Sequence, residues 1–162
     1  KTIPFTIFLY TLVMAAAGLA DPAIEKMTPG KKETCPVCGM FVSLYPDWIA
    51  AVTLENGITR YFDGAKDMFK YLLDKNKWEP EFKSAAAKSI RVTDYYTLDP
   101  IDAQKAFFVI GSDVLGPMGH ELIPVKTRDD AKEFLKDHKG TKIIEFNDVN
   151  PGLLEKLDHG NF

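Results

Sequence analysis

The sequence has few of the residues that build most catalytic and nucleic-acid-binding sites. It contains two cysteines and three histidines in 162 residues. Acidic residues outnumber basic residues by 23 to 20, and the formal net charge is −3. Because binding to phosphate groups requires a basic face, this balance argues against a nucleic acid as a partner. The sequence shows no catalytic triad, phosphate-binding loop or dinucleotide fingerprint, so we expect a protein that is not an enzyme.

The long apolar run of the sequence lies at its N-terminus. Lys1 is followed by an apolar stretch, residues 3–17, and small residues stand before Asp21. This arrangement is typical of a secretory signal peptide, here residues 1–20, and predicts export to the periplasm. An uncleaved segment would instead attach the protein to the membrane, since its length is near the minimum for a spanning helix. No cysteine stands at the predicted cleavage site to carry a lipid, so we expect a soluble periplasmic form.

The rest of the chain predicts an α+β fold made of two tandem ββαβ units. A flexible polar leader, residues 21–34, precedes the first unit, residues 35–95. The second unit covers residues 96–148, and a C-terminal tail covers residues 149–162. Both units show two strands, a capped amphipathic helix and a third strand, although they share pattern rather than residue identity.

In the first unit, apolar stretches predict strands over residues 48–54, 58–62 and 89–93. The first two strands are joined by Asn56-Gly57, a strong signal for a hairpin turn. Residues 75–87 are predicted to form a loop.

The helix of the first unit is predicted over residues 65–73, with Asp63 as its N-cap. Leu73 is placed on its apolar face. Lys66 and Asp67 are placed on its solvated face, as paired charges on a helix usually are.

In the second unit, strands are predicted over residues 106–110, 121–125 and 142–146. Thr127 is predicted to cap a helix over residues 129–138, and Gly140 to end it.

Both cysteines lie in one motif, Cys35-Pro-Val-Cys38-Gly-Met40. A disulfide between residues three apart closes too small a loop to stabilise a domain through chain entropy. The pair is therefore more typical of a metal or redox site than of a structural crosslink. In an oxidising compartment we expect a Cys35–Cys38 disulfide as the resting form of the metal-free protein.

Two specific interpretations of this motif are a thiol-disulfide oxidoreductase and a structural zinc site. A thiol-disulfide oxidoreductase would use Cys35 and Cys38, but its reactive thiol usually lies at a helix N-terminus. Gly39 and the strand-like residues 41–42 fit that geometry poorly. A structural zinc site requires four ligands, and the sequence shows no second pair of cysteines or histidines.

Two methionines add soft ligands to the motif. Met40 lies two residues after Cys38, and in an extended backbone such residues point to the same side. A thiolate with a thioether selects Cu(I) over harder ions, although the pattern alone leaves Met40 either as a ligand or as a core residue. Met118 lies in a tight Gly-Pro-Met-Gly loop, where a methionine has few neighbours to pack against. His120 follows as either a further ligand or an ordinary surface residue.

The chain resembles the NosL family, accessory proteins that deliver copper to nitrous oxide reductase. The resemblance rests on the motif at residues 35–40, the hairpin and helix after it, and the stretch 108–119. It continues through residues 121–125 and covers residues 33–148 in order. It implies a fold made of a pair of ββαβ units.

By position, the resemblance implies that Cys38, Met40 and Met118 are the Cu(I) ligands, with a less defined role for Cys35. It implies a monomeric periplasmic Cu(I) chaperone whose partner is nitrous oxide reductase or another periplasmic copper acceptor. Many members carry a cysteine at the signal cleavage site, which this chain lacks.

Overall fold

The computed structural model describes residues 26–162, so the predicted signal peptide lies outside the described residues. The protein mixes helices and antiparallel sheets, as the sequence predicts. Between residues 26 and 162, every helix is too short or too polar to cross a bilayer.

The first sheet has four antiparallel strands in the order β2-β1-β3-β4. These are β1 (Ala50–Leu54), β2 (Thr59–Phe62), β3 (Ala87–Thr93) and β4 (Pro100–Asp102). In the central strand, Val52 pairs with Arg60 of β2 on one side and with Ile90 of β3 on the other. The turn between β1 and β2 contains Asn56-Gly57, and Gly57 has a φ of +85°, which glycine adopts at little cost.

The strand β4 lies beyond residue 96, where the second unit is predicted to begin. It pairs with β3 through Val92 and Ile101. The chain therefore returns to the first sheet before it enters the second one.

The helix α1 (Ala65–Leu73) begins and ends where the sequence predicts. Its buried apolar side chains are those of Met68, Phe69 and Tyr71. Leu73 was predicted on the apolar face but is 44% exposed. The buried face therefore lies around Met68 and Phe69 rather than at the end of the helix.

The segment after α1 was predicted to be a loop but contains helical turns. The helix α2 (Lys75–Trp78) is capped by Asp74, which accepts a hydrogen bond from the N–H of Lys77. A 3₁₀ turn, Pro80–Phe82, follows. The indole N–H of Trp78 donates to the carbonyl of Lys70 and fastens this segment to α1.

The N-terminus of α1 is capped from the other half of the chain. Its N-cap residue is Gly64, and Asp63, the predicted cap, makes no such bond. Instead Glu121 Oε1 accepts a hydrogen bond from the N–H of Lys66 at 2.5 Å and from the N–H of Leu122 at 2.9 Å. The prediction for Asp63 is wrong because a distant carboxylate occupies the cap and leaves Asp63 free to turn toward the cysteine motif.

The second sheet has three antiparallel strands in the order β8-β5-β9. These are β5 (Phe107–Ile110), β8 (Ile123–Val125) and β9 (Lys142–Glu145). A short hairpin of β6 (Leu115–Gly116) and β7 (Gly119–His120) connects β5 to β8. The strand predicted over residues 121–125 begins at Ile123, because Glu121 is turned toward α1.

The helix α3 (Arg128–Asp137) is capped by Thr127, as predicted, whose hydroxyl accepts from the N–H of Asp130 at 3.1 Å. Gly140 follows the end of α3, as predicted, but it is not the left-handed residue that usually ends a helix. The left-handed residue is Lys139, with a φ of +55°. A Cβ at position 140 would lie 2.6 Å from Cγ1 of Val109, so close packing requires the glycine.

The predicted leader and tail both contribute to the core. Met27 is 5% exposed within the main apolar cluster. In the tail, the helix α4 (Pro151–Asp158) is capped by Asn150 and buries Leu154 and Leu157. The core therefore extends beyond the two predicted units at both ends.

The second sheet is buried on both faces. Phe108 and Ile110 point into the main core with α1, and the rings of Phe108 and Phe69 lie 5.3 Å apart. Val109, on the opposite face, packs in a smaller cluster with Phe134 of α3. This alternation follows from the two-residue period of a strand.

We expect the buried carboxyl group of Glu121 to make folding sensitive to pH. Burial raises its pKa from an ordinary value of 4.5 to about 8, so the folded protein keeps a proton that the unfolded chain has lost. Its contribution to stability is complete below about pH 4.5 and is lost as the pH rises toward 8. As the pH rises between those two values, the unfolding free energy of Glu121→Gln should therefore fall less than that of the unmodified protein, measured by urea unfolding.

Glu155→Gln, at an exposed position on α4, is the matched control and should follow the unmodified protein. An equal loss of unfolding free energy in the Glu121 variant would show that this carboxyl group is ionised in the folded state.

Candidate metal centre

The cysteine motif folds into a closed turn. The N–H of Cys35 donates to the carbonyl of Met40 at 2.9 Å, and the N–H of Gly39 donates to the carbonyl of Cys35 at 2.8 Å. Gly39 has a φ of +79°, in the left-handed region that favours glycine. At the base of the turn, Thr34 and Phe41 form an antiparallel bridge. Backbone hydrogen bonds alone therefore fix the two cysteines relative to each other.

Two aspartates at the start of α1 complete a cluster with these cysteines. The Sγ of Cys38 lies 3.2 Å from Oδ1 of Asp63, and the Sγ of Cys35 lies 3.6 Å from Oδ2 of Asp67. One ligand atom from each of the four side chains lies within 4.8 Å of all the others. Three of the four residues are buried, and Cys38 is half-buried. The geometry suits a single bound ion.

Both cysteines are free thiols in the structure, not the disulfide expected from the compartment. Desolvation by burial, together with the hydrogen bond to Asp63, raises the pKa of Cys38 to about 12, against the opposing effect of the Met40 N–H. Desolvation also raises the pKa of Cys35 far above its ordinary value, and the nearby charge of Asp67 adds to the effect. A metal ion bound here must displace thiol protons, so its binding weakens as the pH falls.

Two buried carboxylate oxygens of the cluster, Oδ2 of Asp63 and Oδ1 of Asp67, accept no hydrogen bond from the described residues. Asp63 is 1% exposed, and its Oδ2 is buried without a hydrogen bond to any residue from 26 to 162. Asp67 differs, because its Oδ1 lies 3.5 Å from Nζ of Lys70. A buried acceptor without a partner is costly and calls for an explanation such as a bound ion. The donor set therefore fits a cation better than it fits a purely structural cluster.

The two predicted methionine ligands lie on separate segments, the cysteine turn and the β6–β7 hairpin. Met40 is half-buried at the end of the cysteine turn. Met118 is 43% exposed on the β6–β7 hairpin, and its carbonyl accepts a hydrogen bond from Nζ of Lys66 at 2.9 Å. Since Lys66 and Asp67 are consecutive in α1, the hairpin and the cysteine turn contact neighbouring residues of one helix. The ligand roles of both methionines stay predictions.

His120 is directed to the C-terminus of the chain. Its ring lies 5.1 Å from the ring of Phe162 in an edge-on arrangement. Its Nε2 would lie 3.1 Å from a Cβ built at Gly160. These contacts account for the half-buried position of His120, and its role as a further ligand stays a prediction.

The sequence analysis missed both aspartates of the cluster. It assigned Asp63 to a helix cap and Asp67, with Lys66, to a solvated helix face, but all three are at most 2% exposed. The prediction of a solvated face is wrong because the β6–β7 hairpin and α4 cover this side of α1. A usable signal was present, since Asp63 and Asp67 are four residues apart and share one side of the first helical turn.

Comparisons with known proteins place the chain among related sequences and structures. A family model described as NosL matches residues 26–154. The copper-binding lipoprotein NosL of Stutzerimonas stutzeri is 23% identical over 145 residues, which cover 85% of this chain and 74% of the relative. The crystal structure of the copper chaperone NosL from Shewanella denitrificans superposes with a TM-score of 0.64 at 24% identity, covering 80% of this chain and 99% of that chain. The structural likeness shows a shared fold.

We expect Asp63→Asn to speed the alkylation of Cys38, tested in a Cys35→Ser background so that one thiol reacts. The Asp63 carboxylate raises the pKa of Cys38, so its removal increases the thiolate fraction at neutral pH. The rate of labelling by iodoacetamide, followed by mass spectrometry, should rise several-fold.

Asp129→Asn is the matched control for this measurement, because Asp129 is exposed on α3. It should leave the labelling rate unchanged. An unchanged or slower rate in the Asp63 variant would mean that this carboxylate does not accept the thiol proton of Cys38.

Proposed function

Because the chain belongs to the NosL family, we propose that it is a periplasmic chaperone that binds Cu(I) through its cysteine motif. One observation carries the proposal: Cys35 and Cys38 converge in a turn that backbone hydrogen bonds fix and that ends at Met40. Two relatives support it, since one is described as a copper-binding lipoprotein and another as a copper chaperone.

In this proposal Cys38, Met40 and Met118 hold the ion, with Cys35 as an additional sulfur on the same turn. Thiolate and thioether sulfurs form a soft set that selects Cu(I). Cys38 is half-buried and Met118 is 43% exposed, so part of the site faces solvent. Ligands of an acceptor protein can therefore reach the ion while some of the chaperone's sulfurs still hold it.

We further propose nitrous oxide reductase as the copper acceptor, with the chaperone acting as a monomer in the periplasm. The family to which the chain belongs supports this acceptor. The description of the Stutzerimonas stutzeri relative as a lipoprotein supports an exported location.

We also propose that the two sheets are two ββαβ repeats. The arrangement of strands supports this, since the first strand of each unit is central in both sheets. The orders are β2-β1-β3 in the first sheet and β8-β5-β9 in the second. The fold then brings one soft ligand loop from each repeat to the same helix.

The raised thiol pKa values weigh against the alternative of a thiol-disulfide oxidoreductase. Such an enzyme needs a thiol with a lowered pKa, whereas burial raises the pKa of both Cys35 and Cys38. The strand predicted after Gly39 does not count against an oxidoreductase, because Val42–Leu44 forms a 3₁₀ helix. The raised pKa values of the two thiols still weigh against an oxidoreductase.

The four-residue cluster favours a second candidate, a Zn(II) ion that stabilises the fold. The sequence shows two ligands, but the fold adds Asp63 and Asp67 to Cys35 and Cys38. Two thiolates and two carboxylates make a set of four, which is the usual coordination number of structural zinc. Such an ion would also provide a partner for the unpaired oxygen of Asp63.

Two substitutions separate the copper assignment from the zinc assignment. Met118→Ala should lower Cu(I) affinity about tenfold or more, measured by anaerobic competition with a chelator, because even supporting residues of metal sites are typically worth that much. Asp63→Asn should raise the apparent Cu(I) affinity at neutral pH, because it makes the Cys38 proton easier to displace, but should weaken Zn(II) binding. Leu115→Ala is the matched control, since Leu115 is 55% exposed on the same hairpin. Equal Cu(I) affinities of the Met118 and Leu115 variants would contradict the ligand assignment.

Transfer of Cu(I) to metal-free nitrous oxide reductase tests the proposed acceptor. The Cu(I)-loaded protein should restore copper content and activity to metal-free nitrous oxide reductase faster than the same concentration of chelated Cu(I). Cys38→Ala should abolish this advantage, because the thiolate is the anchoring ligand, and Leu115→Ala should retain it. If loaded protein and chelated Cu(I) restore the enzyme at the same rate, the acceptor is another protein.

A further inference from the structure

Lys66 is a charged residue that is almost fully buried. Its side chain is 1% exposed within α1. Its Nζ donates a hydrogen bond to the carbonyl of Met118 at 2.9 Å and lies 3.1 Å from Oδ1 of Asp158. Lysine is almost never fully buried unless it is paired. The partners of Lys66 therefore explain how it is tolerated, and one of them belongs to the copper site proposed above.

The backbone of Lys66 holds the same hairpin at a second point. Its N–H donates to Oε1 of Glu121 at 2.5 Å. Met118 lies at the tip of the β6–β7 hairpin, and Glu121 directly follows β7. Two hydrogen bonds from one residue therefore fasten both the tip and the base of the hairpin to α1.

The residues on either side of Lys66 hold the thiols. Asp67 contacts Cys35, and Asp63, three residues before Lys66, contacts Cys38. The residue that anchors the hairpin and the two residues that contact the thiols therefore lie within about one helical turn of each other. The relative position of the two sulfur loops is set by this single turn.

The hairpin has little else to fix the side chain of Met118. Its strands pair through two residue pairs, Leu115 with His120 and Gly116 with Gly119. Met118 is 43% exposed, so packing determines only in part where its sulfur lies.

We propose that Lys66 is a positioning residue, which holds the Met118 loop within reach of a Cu(I) ion bound to Cys38. This inference rests on the proposed function, because it takes Met118 as a ligand. Lys66 contributes no ligand atom itself. It acts through the carbonyl of Met118, which its ammonium group holds against α1.

A double-mutant cycle in Cu(I) affinity tests the proposal. Lys66→Met, which keeps the apolar stem and removes the donor, should weaken Cu(I) binding about tenfold, a typical effect of residues that support a metal ligand. Combined with Met118→Ala, it should cause no further loss beyond that of Met118→Ala alone. Combined with Met40→Ala, the two losses should multiply.

Asp158→Asn is the matched control for a purely structural role. It removes the ion pair between Lys66 and α4 but leaves the hydrogen bond to Met118. It should lower thermal stability and leave Cu(I) affinity nearly unchanged. A loss of affinity as large as that of Lys66→Met would overturn the positioning role.

The outcomes distinguish this proposal from the proposed function. If Met118→Ala weakens binding and Lys66→Met adds its full effect on top, Lys66 acts elsewhere and the positioning role is wrong. If Met118→Ala binds Cu(I) as tightly as Leu115→Ala, the ligand assignment fails first and the positioning role fails with it. Should Lys66→Met not fold, Lys66→Gln enters the same cycle under the same criteria.

Discussion

The structure depends on how the start of α1 is held. Glu121, from the second half of the chain, caps the first turn of this helix through the N–H of Lys66. Glycine suits the N-cap position 64 because a Cβ there would clash with Oε2 of Glu121. With the cap supplied from outside, Asp63 is released to the cysteine turn. One hydrogen bond therefore joins the two halves and frees a residue for the candidate metal centre.

Local sequence patterns predicted the secondary structure well where contacts within one element determine it. The bounds of α1, the turn at Asn56-Gly57 and the cap at Thr127 follow from periodicity, glycine conformation and side-chain hydrogen bonding. Residues 75–87 were predicted less well, because a four-residue helix and a 3₁₀ turn carry too short a pattern to recognise. The boundaries of elements in these places depend on contacts with α1 rather than on the local sequence.

The candidate site was predictable in its sulfurs and not in its carboxylates. Cys35 and Cys38 are recognisable from their spacing, since the turn that joins them is local. Asp63 and Asp67 follow rules that normally place them in a cap and on a surface. What overrides those rules is the covering of α1 by the hairpin and by α4, which contact it from positions more than fifty residues away in the chain. Sequence patterns within one helix carry no information about such a cover.

The protonated state of the two thiols has a consequence for survival in an oxidising compartment. Disulfide exchange proceeds by attack of a thiolate, and its rate falls with the thiolate fraction and with access to the sulfur. Burial raises the pKa of Cys35 and Cys38, and Cys35 is 1% exposed. The pair is therefore slow to react with disulfides, more so than exposed cysteines of ordinary pKa would be.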